Sequence, residues 1–360
     1  MGLQGFDLLR RAVSEIQAGR VDCASSHLEE LVSGLDPVEQ PGDLLHLMYA
    51  SALGRYIGND NNVEINLYLR NYGQLHIDLF NLVGSRLPVA FLAGHIANGI
   101  LVKQLQNTQE ATVLSFGMGT GRQEVALVRE LAASPAPPDR LVVVGVDPAG
   151  DSLQQARVAL DEVARQLGIA IEFHSLVTTA EDMSPSHWAM LRNMPHPLAV
   201  NAAFALHHIQ ELSPNENARD DFLLRLRELK PACLVMCEPD SEHHRRSLED
   251  RFFASWNHFH AVFGMVDSLN LDQSETVAIK TFFGREIDDI VGTASDDARF
   301  ERHESTQAWC ERLVRSGYRL EDIEFRPTAS YPGLSIITEP GCVRMGFRTD
   351  PILSVICATT

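Results

Sequence analysis

VLSFGMGTGRQE, residues 113–124, carries an apolar run into a helix-forming pattern through a turn of three glycines, Gly117, Gly119 and Gly121. A strand hands its chain to a helix in this way over a nucleotide-shaped ligand. Glycine permits the sharp turn, and without a Cβ the backbone can approach the ligand closely. The turn alone is a common pattern, and its meaning comes from the segments downstream of it in the chain.

From Ala111 onward, short β-branched runs alternate with helical spacing. ATVLSF, LVVVGV, 169–177, 198–201 and 233–237 read as strands; 122–133, 152–167 and 217–229 read as helices. Continuous apolar strands separated by helices predict a mostly parallel sheet with both faces covered. After a late helix around Trp309 and Leu313, the runs 318–325, 343–347 and 352–358 predict terminal strands that include an antiparallel hairpin. Residues 1–108 show helical spacing throughout: Phe6, Leu9, Val13 and Ile16, then Leu28 to Val32, Asp43 to Ile57, Val63 to Val83, and a run opened by Pro88. They are read as a helical cap or lid ahead of a 109–360 core. Residues 241–292 return to helical spacing and are read as an insertion in that core.

Acidic and polar residues fall where such a sheet presents its ligand edge. Asp147 follows the second strand, where a carboxylate accepts from ribose hydroxyls or caps the next helix. Glu181 and Asp182 follow the third, as acceptors for an adenine amine or as solvated loop acids. Asn201 and Ala202 leave the fourth strand into Phe204, His207 and His208. Either histidine is a candidate general base, because imidazole titrates near neutrality; the alternatives are packing on the sheet and capping. Glu238 and Asp240 end the fifth strand, to bind an amine or to form an acidic surface turn. His95 and Asn98 lie three apart on one helical face, closing over the cleft or packing on the sheet. His243-His244 shows no clean ligand spacing, so no metal is expected and the pair is read as a solvated loop. The tryptophans Trp188, Trp256 and Trp309 are read as core.

The glycine turn, Asp147, the Ala180-Glu181-Asp182 run and NAAFALHHI occur in the order of the S-adenosylmethionine-dependent methyltransferase fold, which this segment resembles. IEFHSLV, LAVNAAFALHHI, FFGREIDDIVG, FERHESTQAWCERLVRSGY, MGFRTDPILSVICA and the upstream AGHIANGIL resemble the GRAS family. The resemblance implies a Rossmann-like, class I methyltransferase sheet with an N-terminal helical cap and a helical insertion. The retained glycines and the early start of the domain point to the bacterial, catalytic branch. That branch implies transfer of a methyl group from S-adenosylmethionine to a small-molecule acceptor, with S-adenosylhomocysteine as product. His207, His208 and Glu238 would be catalytic. Ser115, the three glycines, Asp147, Glu181, Asp182, Asn201 and Ala202 would hold the cofactor, and His95, Asn98, Phe204 and Asp240 the acceptor. Ser115 stands where that class carries an acid. The alternatives are a catalytically inactive GRAS-type ligand-binding or protein-interaction module, and a nicotinamide-dependent oxidoreductase.

The chain has 360 residues with 30 basic against 48 acidic side chains, net −18. Such a surface repels polyanions, so neither nucleic acid nor membrane is an expected partner. Six cysteines without a CxxC pair, and an amphipathic rather than signal-like start, read as reduced thiols in a cytoplasmic chain. Dimerisation through the N-terminal helices is left open.

Overall fold

The computed structural model describes residues 2–37, 39–58, 76–211, 216–244, 246–325 and 330–360. The predicted helix over 63–83 lies outside them up to residue 75. The helical third contains α1 (Gly2–Gln17), α2 (Val21–Ser33), α3 (Asp43–Tyr56), α4 (His76–Arg86) and α5 (Pro88–Leu105). Leu87 is extended and Pro88 takes the first turn of α5, where its missing N–H costs nothing.

The sheet comes next, with β1 (Glu110–Phe116), α6 (Arg122–Ala132), β2 (Arg140–Val146), α7 (Gly150–Leu167), β3 (Ala170–Leu176), α8 (Pro185–Leu191), β4 (Leu198–Ala203), α9 (Ala218–Glu228) and β5 (Cys233–Pro239). Helices α10 (Leu248–Ser268) and α11 (Gln273–Gly292) form the predicted insertion. The chain closes with α12 (Thr306–Arg315), β6 (Arg319–Leu320), β7 (Leu334–Glu339), β8 (Cys342–Phe347) and β9 (Asp350–Thr359).

Strand order is β3-β2-β1-β4-β5-β9-β8-β7, with β6 beside β9. Strands β1 to β5 run parallel, and β9 returns antiparallel to β5 and to β8. This is the expected α/β architecture. Within β1, Val113 faces one core while Leu114 and Phe116 face the other; β2 divides Leu141 and Val143 from Val142, Val144 and Val146 in the same way. A period of two with apolar residues on both faces is what two covered faces require.

The first core also takes in Leu9, Leu53, Phe252, Phe259, Ile279 and Ile290, so the N-terminal helices and the insertion share one apolar interior with the sheet. Three details differ from the sequence reading. The run 318–325 pairs as a strand only at Arg319–Leu320. Strand β7, whose side chains alternate poorly in polarity, was not predicted. Helix α8 was also unpredicted; Ser184 caps it in a capping box with His187, and Pro185 opens it.

Candidate functional site

The glycine turn forms as read. Gly117, Gly119 and Gly121 have φ of 69°, 54° and 73°, a region that L residues with a Cβ rarely enter. The Gly117 N–H donates to the Val146 carbonyl at 3.0 Å, pinning the turn to the end of β2. A Cβ on Gly117 would lie 2.8 Å from the Ala203 carbonyl oxygen, and one on Gly121 would lie 2.9 Å from the Ala156 Cβ. Two of the three bare positions are therefore required by the chain's own packing against β4 and α7.

Beside the turn lies a cavity of about 460 Å³. Its walls come from α4 and α5 (Phe80, His95, Asn98), the turn itself, the β4 exit (Phe204, His207, His208), α11 (Phe282, Glu286) and the Glu301–His303 segment. Phe204 has φ of 53°, costly for a side chain this large. Its N–H donates to the Cys237 carbonyl at 2.8 Å and its ring meets Phe80 edge-on, so the β4–β5 pair holds it at the cavity wall.

Beneath the turn is a buried polar knot that the sequence did not disclose. Ser115 Oγ donates to Glu124 Oε1, and Asn201 donates to Ser115 Oγ at 3.1 Å. Gln123 donates to Asn201 and Asn98, at 3.2 and 3.4 Å. Burial pushes the Glu124 carboxyl up, opposed by the Ser115 hydrogen bond. Its second oxygen is buried with no hydrogen-bond partner among the described residues, and Glu124 lines the cavity. Ser115 thus does not leave the site without a carboxylate. The acid comes from the first turn of α6, nine residues along the chain. Its sequence signal lay in the opening motif, but only the strand-to-helix turn brings the two side chains together.

Other expected residues are placed differently. Asp147 accepts from the Gly119 N–H at 2.9 Å and the Ala149 N–H at 2.8 Å, so it braces the turn and opens α7. Glu181 and Asp182 are exposed after β3 and do not line the cavity, and Asp182 accepts from Thr179 at 3.0 Å. Ala202 is buried in the core on the opposite face of the sheet, because strand alternation turns it away from the cleft. Asp240 is 6% exposed and pairs with Arg344 at 2.8 Å while accepting the Thr306 N–H, so it is a buried brace and not an open acidic turn. Asn98 is buried, and His95 stands on the exposed side of α5.

His207 and Glu238 are both buried, with Nδ1 and Oε2 2.5 Å apart; Glu238 also accepts the Leu206 N–H at 2.9 Å. The His207 Nε2 lies 3.3 Å from Glu301. Burial opposes the charge on His207, but the two carboxylates outweigh it and raise the imidazole to about 10. At neutral pH it is a cation locked between carboxylates, not a free base. His208 opens to the cleft and solvent, yet the protein mass around it and cationic His207 hold its ring down to about 4.

His243 and His244 are buried, contrary to the expected solvated loop. His244 pairs with Glu211 at 2.9 Å. Behind the β4 exit, fully buried Arg219 donates to the carbonyls of His207, Ile209 and Arg302 at 2.7, 3.1 and 2.9 Å. Arg312 pairs with Glu211, Glu304 and Asp220 at 2.9, 2.7 and 2.6 Å. These ion pairs fix the histidine loop to α9 and α12. Sequence reasoning missed Glu124, Arg219, Glu286, Glu301, His303 and Arg312; apart from Glu124, most stand in the very segments that carry the family resemblance. The tryptophans are core, as expected.

The GRAS domain family model matches residues 6–331. This chain belongs to the GRAS domain family. It is 27% identical over 231 residues to the Scarecrow-like transcription factor PAT1 of Arabidopsis thaliana, covering 62% of this chain and 46% of the relative. To the DELLA protein RGL1 of the same plant it is 26% identical over 281 residues, covering 74% and 53%. The chain spans about half the length of the curated relatives it matches. The crystal structure of SCL7 in Oryza sativa superimposes with a TM-score of 0.80 at 21% identity, over 98% of this chain and 99% of that one, which establishes the fold.

These relatives correct several expectations. They are plant proteins, not the expected bacterial branch, and neither is described as a methyltransferase. The reading of an enzyme acting on a small-molecule substrate is overturned. So is the expectation that nucleic acid has no place in this protein's function, since one relative is described as a transcription factor. No single helix among the described residues is long and apolar enough to cross a membrane.

Proposed function

We propose that this chain is a non-catalytic GRAS regulatory module that acts in transcription control by binding protein partners. Membership of the GRAS family over residues 6–331, beside relatives described as transcription factor and DELLA proteins, carries this reading. The net charge of −18 favours protein contacts over direct contact with DNA phosphates. The state of His207, a cation between Glu238 and Glu301, agrees with a cleft that binds without taking a proton.

The cleft would retain S-adenosylmethionine as a bound ligand. The donor set fits: Glu124 offers an unpartnered buried oxygen to a cationic group. Asp147 spends two acceptor positions on the turn and keeps others for ribose hydroxyls. Bound there, the ligand would supply a sulfonium and an ammonium charge to an acidic cleft.

A tethered reporter assay tests the module. Fused to a sequence-specific DNA-binding domain, the chain is expected to change reporter transcription several-fold. A folded, expressed fusion that leaves the reporter unchanged refutes the regulatory reading. Calorimetry tests the ligand separately. Micromolar binding of S-adenosylmethionine, lost in Gly119→Asp and weakened in Glu124→Gln, is expected; no heat at millimolar ligand refutes it.

A further inference from the structure

We propose that the floor of the cleft is a binding site for one first-row divalent metal ion, held by Glu286, Glu301 and His303. This does not depend on whether a nucleoside binds above it. One donor atom from each of the three lies within 4.8 Å of the others, and His207, His208 and Glu301 form a second such group around the same carboxylate. The donors come from separate parts of the chain. Glu286 projects from α11, and Glu301 and His303 sit in the segment leading into α12. The Glu301 N–H donates to Asp289 at 2.7 Å, which fixes that segment on α11.

Charge gives the first reason for a cation. Glu286 and Glu301 line one pocket, and His207 is committed to Glu301 and to Glu238 behind it. Arg122, beside the glycine turn, is spent on the Asn81 carbonyl. Carboxylates gathered in low dielectric repel unless a cation lies among them. A dication between Glu286 and Glu301 would offset the repulsion of two carboxylates held this close.

Nitrogen geometry gives the second. His207 and His303 both direct Nε2 at the same Glu301 oxygen, at 3.3 and 3.1 Å. The Glu238 contact holds the other His207 nitrogen, so His207 stands beside the site as a neighbouring cation and not as a ligand. His303 Nδ1 is buried with no partner among the described residues. An ion held by Glu301 would take a lone pair from the His303 ring. Mixed imidazole and carboxylate donors suit Zn²⁺ and its first-row neighbours better than Ca²⁺ or Mg²⁺, which take oxygen. The cavity leaves room for water or a ligand group to complete the coordination.

The test uses the full chain, freed of any affinity tag and treated with chelator, titrated with Co²⁺ and Zn²⁺. One equivalent is expected to bind with the ligand-field absorption of nitrogen and oxygen donors. Glu286→Gln and His303→Gln are expected to weaken binding at least tenfold, while Cys310→Ser leaves it within twofold. Glu301 also holds His207 and His303, so its substitution endangers the fold; half-buried Glu286 supplies the variant that keeps the test decisive. Three results overturn the proposal: no saturable binding, undiminished affinity in a folded Glu286→Gln chain, or a cobalt–thiolate band that places the ion on cysteine.

Discussion

Gly117→Ala and Gly168→Ala make a matched pair, because both glycines have nearly the same backbone. Their φ values are 69° and 70°. Any alanine there carries the left-handed penalty of roughly 1–2 kcal/mol. The surroundings differ. Around Gly168, at the end of α7, an added Cβ meets nothing within 4 Å. Around Gly117 it would lie 2.8 Å from the Ala203 carbonyl oxygen and 2.9 Å from the Ala205 Cβ. Neither neighbour can rotate away, since one is β4 backbone and the other has no further torsion. Overpacking of this kind costs a further ~1–3 kcal/mol. Gly168→Ala should therefore lose about 1–2 kcal/mol and Gly117→Ala about 2–5. Urea unfolding monitored by circular dichroism, with unchanged slope, measures both. Equal losses would show that β4 does not crowd the turn.

Removing the carboxylate beneath the histidine loop should cost about as much as breaking a buried ion pair, so Glu238→Gln is expected to lose about 3–5 kcal/mol in denaturant unfolding. Arg312→Leu strips Glu211, Glu304 and Asp220 together, and a similar loss of about 3–5 kcal/mol is expected. The same network sets an acid limit. Burial would raise the Glu211 carboxyl, but the His244 hydrogen bond and the Arg312 charge outweigh it and bring it down to about 2. Its contribution is present above the unfolded value of 4.5 and is lost as pH falls from there toward 2. Unfolding midpoints between pH 6 and 3 should fall less steeply in Glu211→Gln than in the parent chain; parallel slopes would remove Glu211 from the acid response. Ser115→Ala leaves Glu124 with one hydrogen bond fewer in a dry site and should cost ~1–3 kcal/mol; a neutral outcome in the same unfolding assay would show that the knot is slack.

What the sequence determined by itself was periodic or local. Two-sided apolar strands such as LVVVGV, the helical spacing of residues 1–57, Pro88 at a helix start and the glycine turn each depend on neighbours a few positions apart. They gave the parallel sheet, its antiparallel ending and the helical insertion. They also carried the family resemblance. The site depended on distance across the fold. Glu124 meets Ser115 because the turn doubles the chain back, and Glu286 meets Glu301 because α11 packs beside the segment before α12. Nothing in one-dimensional spacing marks such encounters. Nor does it mark burial, which made a buried ion pair of Glu238 and His207 and a core pair of His243 and His244. Side-chain chemistry was legible residue by residue; dielectric and partnership, which decide what that chemistry does, belong to the tertiary structure.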